Sequence, residues 1–368
     1  MADVWRVVPL ADATPPAPTT EARARRWWSD LLARWRGAIA DVDDPTPAED
    51  HLEALDAERL ERLVPKPPLE EQRTALMTWR AARPHGLVLR PDDGGWDAAL
   101  DGSGDGGPTV VRPPDGAVSY RALPDDLLAV LAGDDDVHFA RLEGWWVRHH
   151  DGLNAIRDLL AHLGDRRGPW SADVAPWAWA WMRRTLPEAR GLPTPSTPAP
   201  LDGPALQEWL GADPALRLRG SGETPGEGTF RALAARARGE AGVAAAVWIA
   251  AMRDGRERTD EDAGGAAHDE DLHVWLRNPA NVELPSAASL PRDDVLLLHA
   301  VLLHGLAPAE VVGAAVALGA AEAGVALRVL RTQGLVELGG DDRYRVAAAA
   351  LPSLWSRLAS EAIAGVRS

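Results

Sequence analysis

Cysteine is absent from this chain, which rules out disulfides, thiolate metal ligands and a thiolate nucleophile. Lysine is nearly absent too: Lys66 is the single one, so almost every cation is arginine and no site beyond position 66 can use an ammonium group. There is no run of about eighteen apolar residues of the kind a membrane span needs, and the opening MADVWRVVPLADATPP lacks the charged and apolar regions of a secretory signal. A cytoplasmic protein that makes no membrane contact is therefore expected. Tyrosine and phenylalanine are scarce, at two each, beside 16 tryptophans. The tryptophans cluster at Trp27-Trp28, Trp145-Trp146 and Trp177-Ala-Trp179-Ala-Trp181 among alanine and valine, without the interleaved cations of a base-stacking platform, so packing is their expected role.

The chain has 368 residues, 46% of them apolar, which suits two or three globular domains. Its net charge of −16, with 55 acidic against 39 basic residues, opposes long-range attraction to nucleic acid or anionic lipid.

The pattern along the chain divides it into five segments. Residues 1–19 read as a flexible leader ending in ATPPAPTT, and residues 20–84 as a helical arm with stripes over Thr20–Ala40, Glu49–Leu63 and Leu69–Ala82. From His85 the texture changes to short strands, GLVLRP, PTVVRP and DVHFARLE. Helix-like stretches LPDDLLAVLAG and Leu153–Leu163 follow or separate them, and Pro169–Trp181 reads as a strand running into a helix. This alternation predicts a parallel α/β sheet over residues 85–210, with 193–203 as a loop. Residues 211–289 predict a helical domain, Phe230–Met252 being interrupted near Gly239 and Gly242, with a charged surface loop at 253–271.

The last segment, 290–368, is the most legible. Asp293-Asp294 can cap a helix ending at Gly305, Pro308 suits the first turn of a second, and Gly319 leads into a third, Ala320–Gln333, with Val325, Leu327 and Leu330 facing inward. Gly334-Leu-Val-Glu-Leu, a Gly/Asp turn and Arg343-Tyr-Arg-Val then predict a hairpin. LRTQGLVELGGDDRYRV resembles the corresponding segment of winged-helix proteins. That resemblance implies a third helix that meets either DNA or protein. Arg328, Arg331, Arg343 and Arg345 are the candidate DNA contacts, but residues 293–368 hold six arginines against eight carboxylates, which favours a protein partner.

The order from His85 onward resembles AAA+ and STAND-type ATPases with a winged helix after the helical lid. The resemblance places DDGGWDAALDGSG at the phosphate loop, DVHFARLEGWW at the Walker B strand and WSADVAPWAWAWM at the sensor strand, while LPTPSTPAPLDGPALQEWL and FRALAARARGEAGVAAAVWIAAM look like the entry to the lid and its helices. A working phosphate loop needs glycines for backbone approach, a lysine for charge and a Ser or Thr for magnesium. GxxxxGK[ST] is absent, and Asp92, Asp93, Asp97 and Asp101 would repel a triphosphate. Glu143 is the one carboxylate at the Walker B-like position and so the candidate cofactor-binding residue, with Leu142 where an aspartate is usual. The resemblance thus implies a degenerate, pseudo-ATPase core with no cofactor expected and no catalytic or metal residues. The expected function is that of a non-catalytic interaction or regulatory protein; a DNA-binding regulator and an active NTPase are the alternatives.

Three further groups read as structural. His149-His150-Asp151 lacks HExxH spacing, DGSGDGG lacks the strand-to-helix setting of a nucleophile elbow, and His299 and His304, five apart, read as core-edge residues. Arg166-Arg167 fits either an anion contact or a solvated helix end.

Overall fold

The computed structural model describes residues 4–17, 60, 63–65, 68–92, 96, 108–113, 122–148, 152–211, 216–218, 224–254 and 274–361. The helix expected over 20–40, nearly all of that over 49–63, His149-His150-Asp151, nearly all of the phosphate-loop stretch and most of the 253–271 loop lie outside the described residues. The chain divides into two compact units, one comprising 1–14, 67–199 and 284–368, the other 15–66 and 200–283.

The first unit holds a mixed sheet of β1 (Val7–Pro9), β2 (His85–Leu89), β3 (Thr109–Val111), β4 (Val137–Phe139), β5 (Trp170–Val174) and β6 (Ser196–Pro198). Their order is β1-β6-β2-β5-β4-β3. All pairings among the strands of 85–210 are parallel, as expected, while β1, from the stretch read as a flexible leader, adds an antiparallel edge strand against β6. β6 lies inside the stretch read as a loop: Pro195 and Pro198 mask a strand that meets β2 at a single register position, Val88 opposite Ser196.

Four helices follow the pattern read from the sequence: α1 (Leu69–Ala81), α2 (Asp125–Ala132), α3 (Asn154–Asp165) and α4 (Pro176–Thr185). Because side chains alternate along a strand, Leu87, Leu89, Phe139, Ala172 and Val174 share one face of the sheet. They pack there with Leu127 of α2, Ile156, Leu159 and Leu160 of α3 and Met182 of α4. Each fully buried Leu or Ile in that layer stabilises the fold by about 1.5–3 kcal/mol. Gly86, His138, Ser171 and Asp173 fall on the opposite face. Gly86 is required there, since a Cβ would stand 2.8 Å from the indole of Trp79 in α1.

The second unit contains α5 (Gly203–Leu210), α6 (Glu227–Ala237) and α7 (Ala241–Ala251), with a small sheet of β7 (Leu216–Leu218), β8 (Met252–Asp254) and β9 (Val274–Leu276) in the order β7-β9-β8. The helical break expected near Gly239 is there, at φ +77, while Gly242 lies within α7. Phe230 stacks on Trp248 at 5.2 Å. Arg236 bridges the carbonyls of Pro279 (2.5 Å) and Val282 (2.6 Å), and burial lowers its pKa. The little sheet was not expected, because its strands are three residues long and the stretch between β8 and β9 is charged and glycine-rich.

The first unit is completed by α8 (Arg292–His304), β10 (Ala307–Pro308), α9 (Ala309–Val316), α10 (Ala320–Thr332), β11 (Val336–Leu338), β12 (Arg343–Val346) and α11 (Leu351–Ser360). β11 and β12 form the expected hairpin, Val336 opposite Val346 and Leu338 opposite Tyr344. β10 adds a third strand against β12. Three details differ from expectation. Asp293 and Asp294 lie inside the first turn of α8 and act on its dipole instead of capping it. Pro308 belongs to β10, just ahead of α9. Val325 points out of α10, leaving Ala323, Gly324, Leu327 and Leu330 as its buried residues. No single helix among the described residues is long and apolar enough to cross a membrane.

Candidate functional site: a closed ion network at the carboxyl ends of β2, β4 and β5

Ligands of open α/β sheets bind beyond the carboxyl ends of the strands, so that edge is where a nucleotide would sit. Arg90 follows β2 directly and its N–H donates to the carbonyl of Val174 (2.9 Å), which carries the β2–β5 ladder one residue further. This fixes the guanidinium beside β5. Its Nη2 pairs with Glu143 Oε1, and Nη1 lies 3.7 Å from Asp173 Oδ1. Glu143, the candidate cofactor-binding residue of the sequence reading, is 1% exposed, and its second oxygen accepts the N–H of Ala175 at 3.0 Å.

The network continues along the polar face of the sheet. Register places His138 opposite Ser171, so His138 Nδ1 lies 2.8 Å from Ser171 Oγ, and its Nε2 lies 3.0 Å from Asp173 Oδ2. Arg141 adopts a left-handed conformation, φ +54, that aims its N–H at Asp173 Oδ1 (3.1 Å). Burial alone would raise the pKa of Asp173, yet the hydrogen bond from His138, the charge of Arg90 and the Arg141 N–H together hold it below 3.8. Ser171, His138 and Asp173 resemble a hydrolytic triad only in composition, since Ser171 is 2% exposed. A buried polar network with its partners supplied locks the three strands in one register.

The C-terminal elements close this edge. Asp92 accepts hydrogen bonds from Trp177 Nε1 of α4 (2.8 Å) and Trp355 Nε1 of α11 (3.1 Å). Trp146 stacks on Trp181 at 4.4 Å and 7°, with His304 of α8 against it at 4.8 Å, while Trp177 meets His299 edge-on at 5.9 Å. The expected packing role holds for these tryptophans. His299 and His304 lie deep within the core instead of at its edge.

Gly305 sits against the ion pair itself. With φ +66, ψ −74 and the Leu306 N–H bonded to the His304 carbonyl at 2.8 Å, it centres a tight three-residue turn that side chains disfavour. A Cβ there would meet Arg90 Nη2 and Glu143 Oε1, each at 3.2 Å. Gly305→Ala is expected to lower stability by about 1–3 kcal/mol, read as a shift of the denaturation midpoint. An unchanged midpoint would show that the turn relaxes freely.

What remains open at the edge is a cavity of about 20 Å³ bordered by Arg90, Asp92, Arg141, Ala175, Gly305 and Arg345, enough for a single water. Of the groups bordering it, Arg90 pairs with two buried carboxylates and Asp92 accepts from two indoles. Arg166, weighed as an anion contact, instead binds the carbonyls of Val130, Leu131 and Asp135 (2.7, 2.6 and 2.6 Å) at the end of α2.

Arg328 and Arg331 are exposed on α10, whereas Arg345 lies opposite Glu337 in the hairpin and pairs with it at 2.8 Å. Arg343 borders the turn with Asp341 and Asp342. Reasoning from the sequence found Glu143 but missed Arg90, Asp173, His138 and Ser171. The one available signal was polar residues inside strands otherwise buried on both faces. The chain matches no known family profile and no curated protein.

Proposed function

We propose that this is a non-catalytic interaction or regulatory protein built on a degenerate, AAA+/STAND-like core, with the unit from α8 to α11 acting as a winged helix that contacts another protein. The single observation that carries this reading is the closure of Glu143 on Arg90 at the edge where a nucleotide would be hydrolysed. A carboxylate neutralised by an internal guanidinium and a backbone N–H neither holds magnesium nor activates water. The central place of β2 in the sheet, flanked by β5 and β6, supports the resemblance to ATPases. The succession α8, β10, α9, α10, β11, β12 supports the winged-helix reading.

Titration calorimetry with ATP and magnesium is expected to give no heat at micromolar concentrations. Micromolar affinity, or hydrolysis abolished by Glu143→Gln, would establish an NTPase instead. Salt-dependent binding to duplex DNA that disappears on Arg328→Ala or Arg331→Ala would replace protein contact with a DNA-binding role.

A further inference from the structure

Val325 and Val329 are 54% and 51% exposed, more than any other large apolar residue among those described. They stand one turn apart on α10. At 100° per residue, Ala321, Val325, Val329 and Thr332 fall within about 80° of one another and form a stripe along the exposed side of the helix. Leu327 and Leu330 anchor the opposite side in the core, and the two valines are not among the buried residues of the helix. They also oppose local preference, because a β-branched residue in a helix costs about half a kcal/mol relative to alanine. Two exposed valines side by side beside a cationic flank offer an apolar surface a partner can cover.

Charge selects the occupant. Arg328 and Arg331 lie on one flank of the stripe and Glu322 on the other. In a chain of net charge −16, this cationic flank is a local exception. Nucleic acid would need cations and polar groups where the stripe has valines and alanine. A second copy docked antiparallel about a dyad would set the arginine flank against itself. A parallel copy would leave Arg328 and Arg331 about 9–14 Å out of step with Glu322. We propose that this face of α10 docks a short amphipathic helix of a partner protein, its apolar face covering Val325 and Val329 and its carboxylates lying along the Arg328–Arg331 flank. The inference rests on the protein-contact reading of the C-terminal unit and specifies the chemistry of that contact.

The test uses the full chain and fluorescein-labelled helical peptides of about five turns, with leucines at helical spacing and either glutamates or lysines along one flank. The glutamate peptide is expected to bind with a Kd on the order of 100 µM, in keeping with a small interface, and the lysine peptide at least tenfold more weakly. Val325→Asp or Val329→Asp should weaken binding about tenfold while circular dichroism is unchanged. The double change Arg328→Glu, Arg331→Glu should reverse the preference to the lysine peptide, which a loss of folding would not do. Equal binding of the two peptides, indifference to Val325→Asp, or binding of a two-turn DNA duplex in preference to either peptide would overturn the proposal. ATP calorimetry addresses the sheet edge alone, so micromolar ATP binding would remove the non-catalytic reading while leaving the peptide result interpretable.

Discussion

Arg90→Ala is expected to destabilise the first unit by about 3–5 kcal/mol, among the largest effects a single substitution in this protein should produce. The substitution strands two carboxylates, Glu143 and Asp173, each 1% exposed and each facing the guanidinium that is lost. The pair itself contributes little relative to apolar side chains of similar volume, because desolvation offsets the attraction between the charges. Arg90→Met combined with Glu143→Leu should therefore recover much of the loss, even though the Ala175 N–H then loses its acceptor. Urea denaturation followed by tryptophan fluorescence provides the measurement, with the midpoint and slope read separately. A loss below about 1 kcal/mol for the single change would mean that the carboxylates are hydrated and the network is not closed.

Acid should act on the opposite side of the same junction. His299 and His304 are buried in α8 against Trp177 and Trp146, and burial, aided by the charge of Arg148, lowers each pKa from 6.5 to about 4; His304 adds to the effect on His299. The unfolded chain takes up these protons below about pH 6.5 and the folded protein does not until about pH 4, so stability is full above 6.5 and falls across that window. The total loss is on the order of 3 kcal/mol per histidine. Asp173, held below 3.8, contributes stability that is lost only as the pH falls through its own lowered value, so its titration lies beneath the histidine window. Denaturation midpoints at pH 7, 6 and 5 would trace the slope, and His304→Asn should reduce it by about half. A flat profile between pH 7 and 5 would contradict neutral burial of the two imidazoles.

The C-terminal unit was largely legible in the sequence because its signals are local. The Gly/Asp turn between alternating residues predicted the pairing of Val336 with Val346, and Gly305 and Gly319 marked real boundaries of α8 and α10. Val325 was placed wrongly because periodicity in an alanine-rich helix does not identify the face that meets the core. His299 and His304 looked ill-matched at a spacing of five. That spacing was uninformative, since α8 is buried on nearly every side. The candidate site was hidden for a different reason. Arg90, His138, Glu143 and Asp173 come from separate strands and a turn, and only the strand order and register bring them together. Glu143 could be singled out as a carboxylate, but its role depends on an arginine 53 residues earlier in the chain. β6 and β10 escaped notice because prolines and short length leave no alternation to read.

The first unit is assembled from widely separated stretches of chain, and this sets a timetable for its birth. The bond from Trp355 to Asp92 spans 263 residues, and the contact of His304 with the Glu143 carbonyl spans 161. Until residues 284–368 have been made, the edge of the sheet bearing Arg90 and Glu143 lacks the helices that cover it in the folded protein. The protein should accordingly complete its first unit only once the final helices have emerged, and fold slowly.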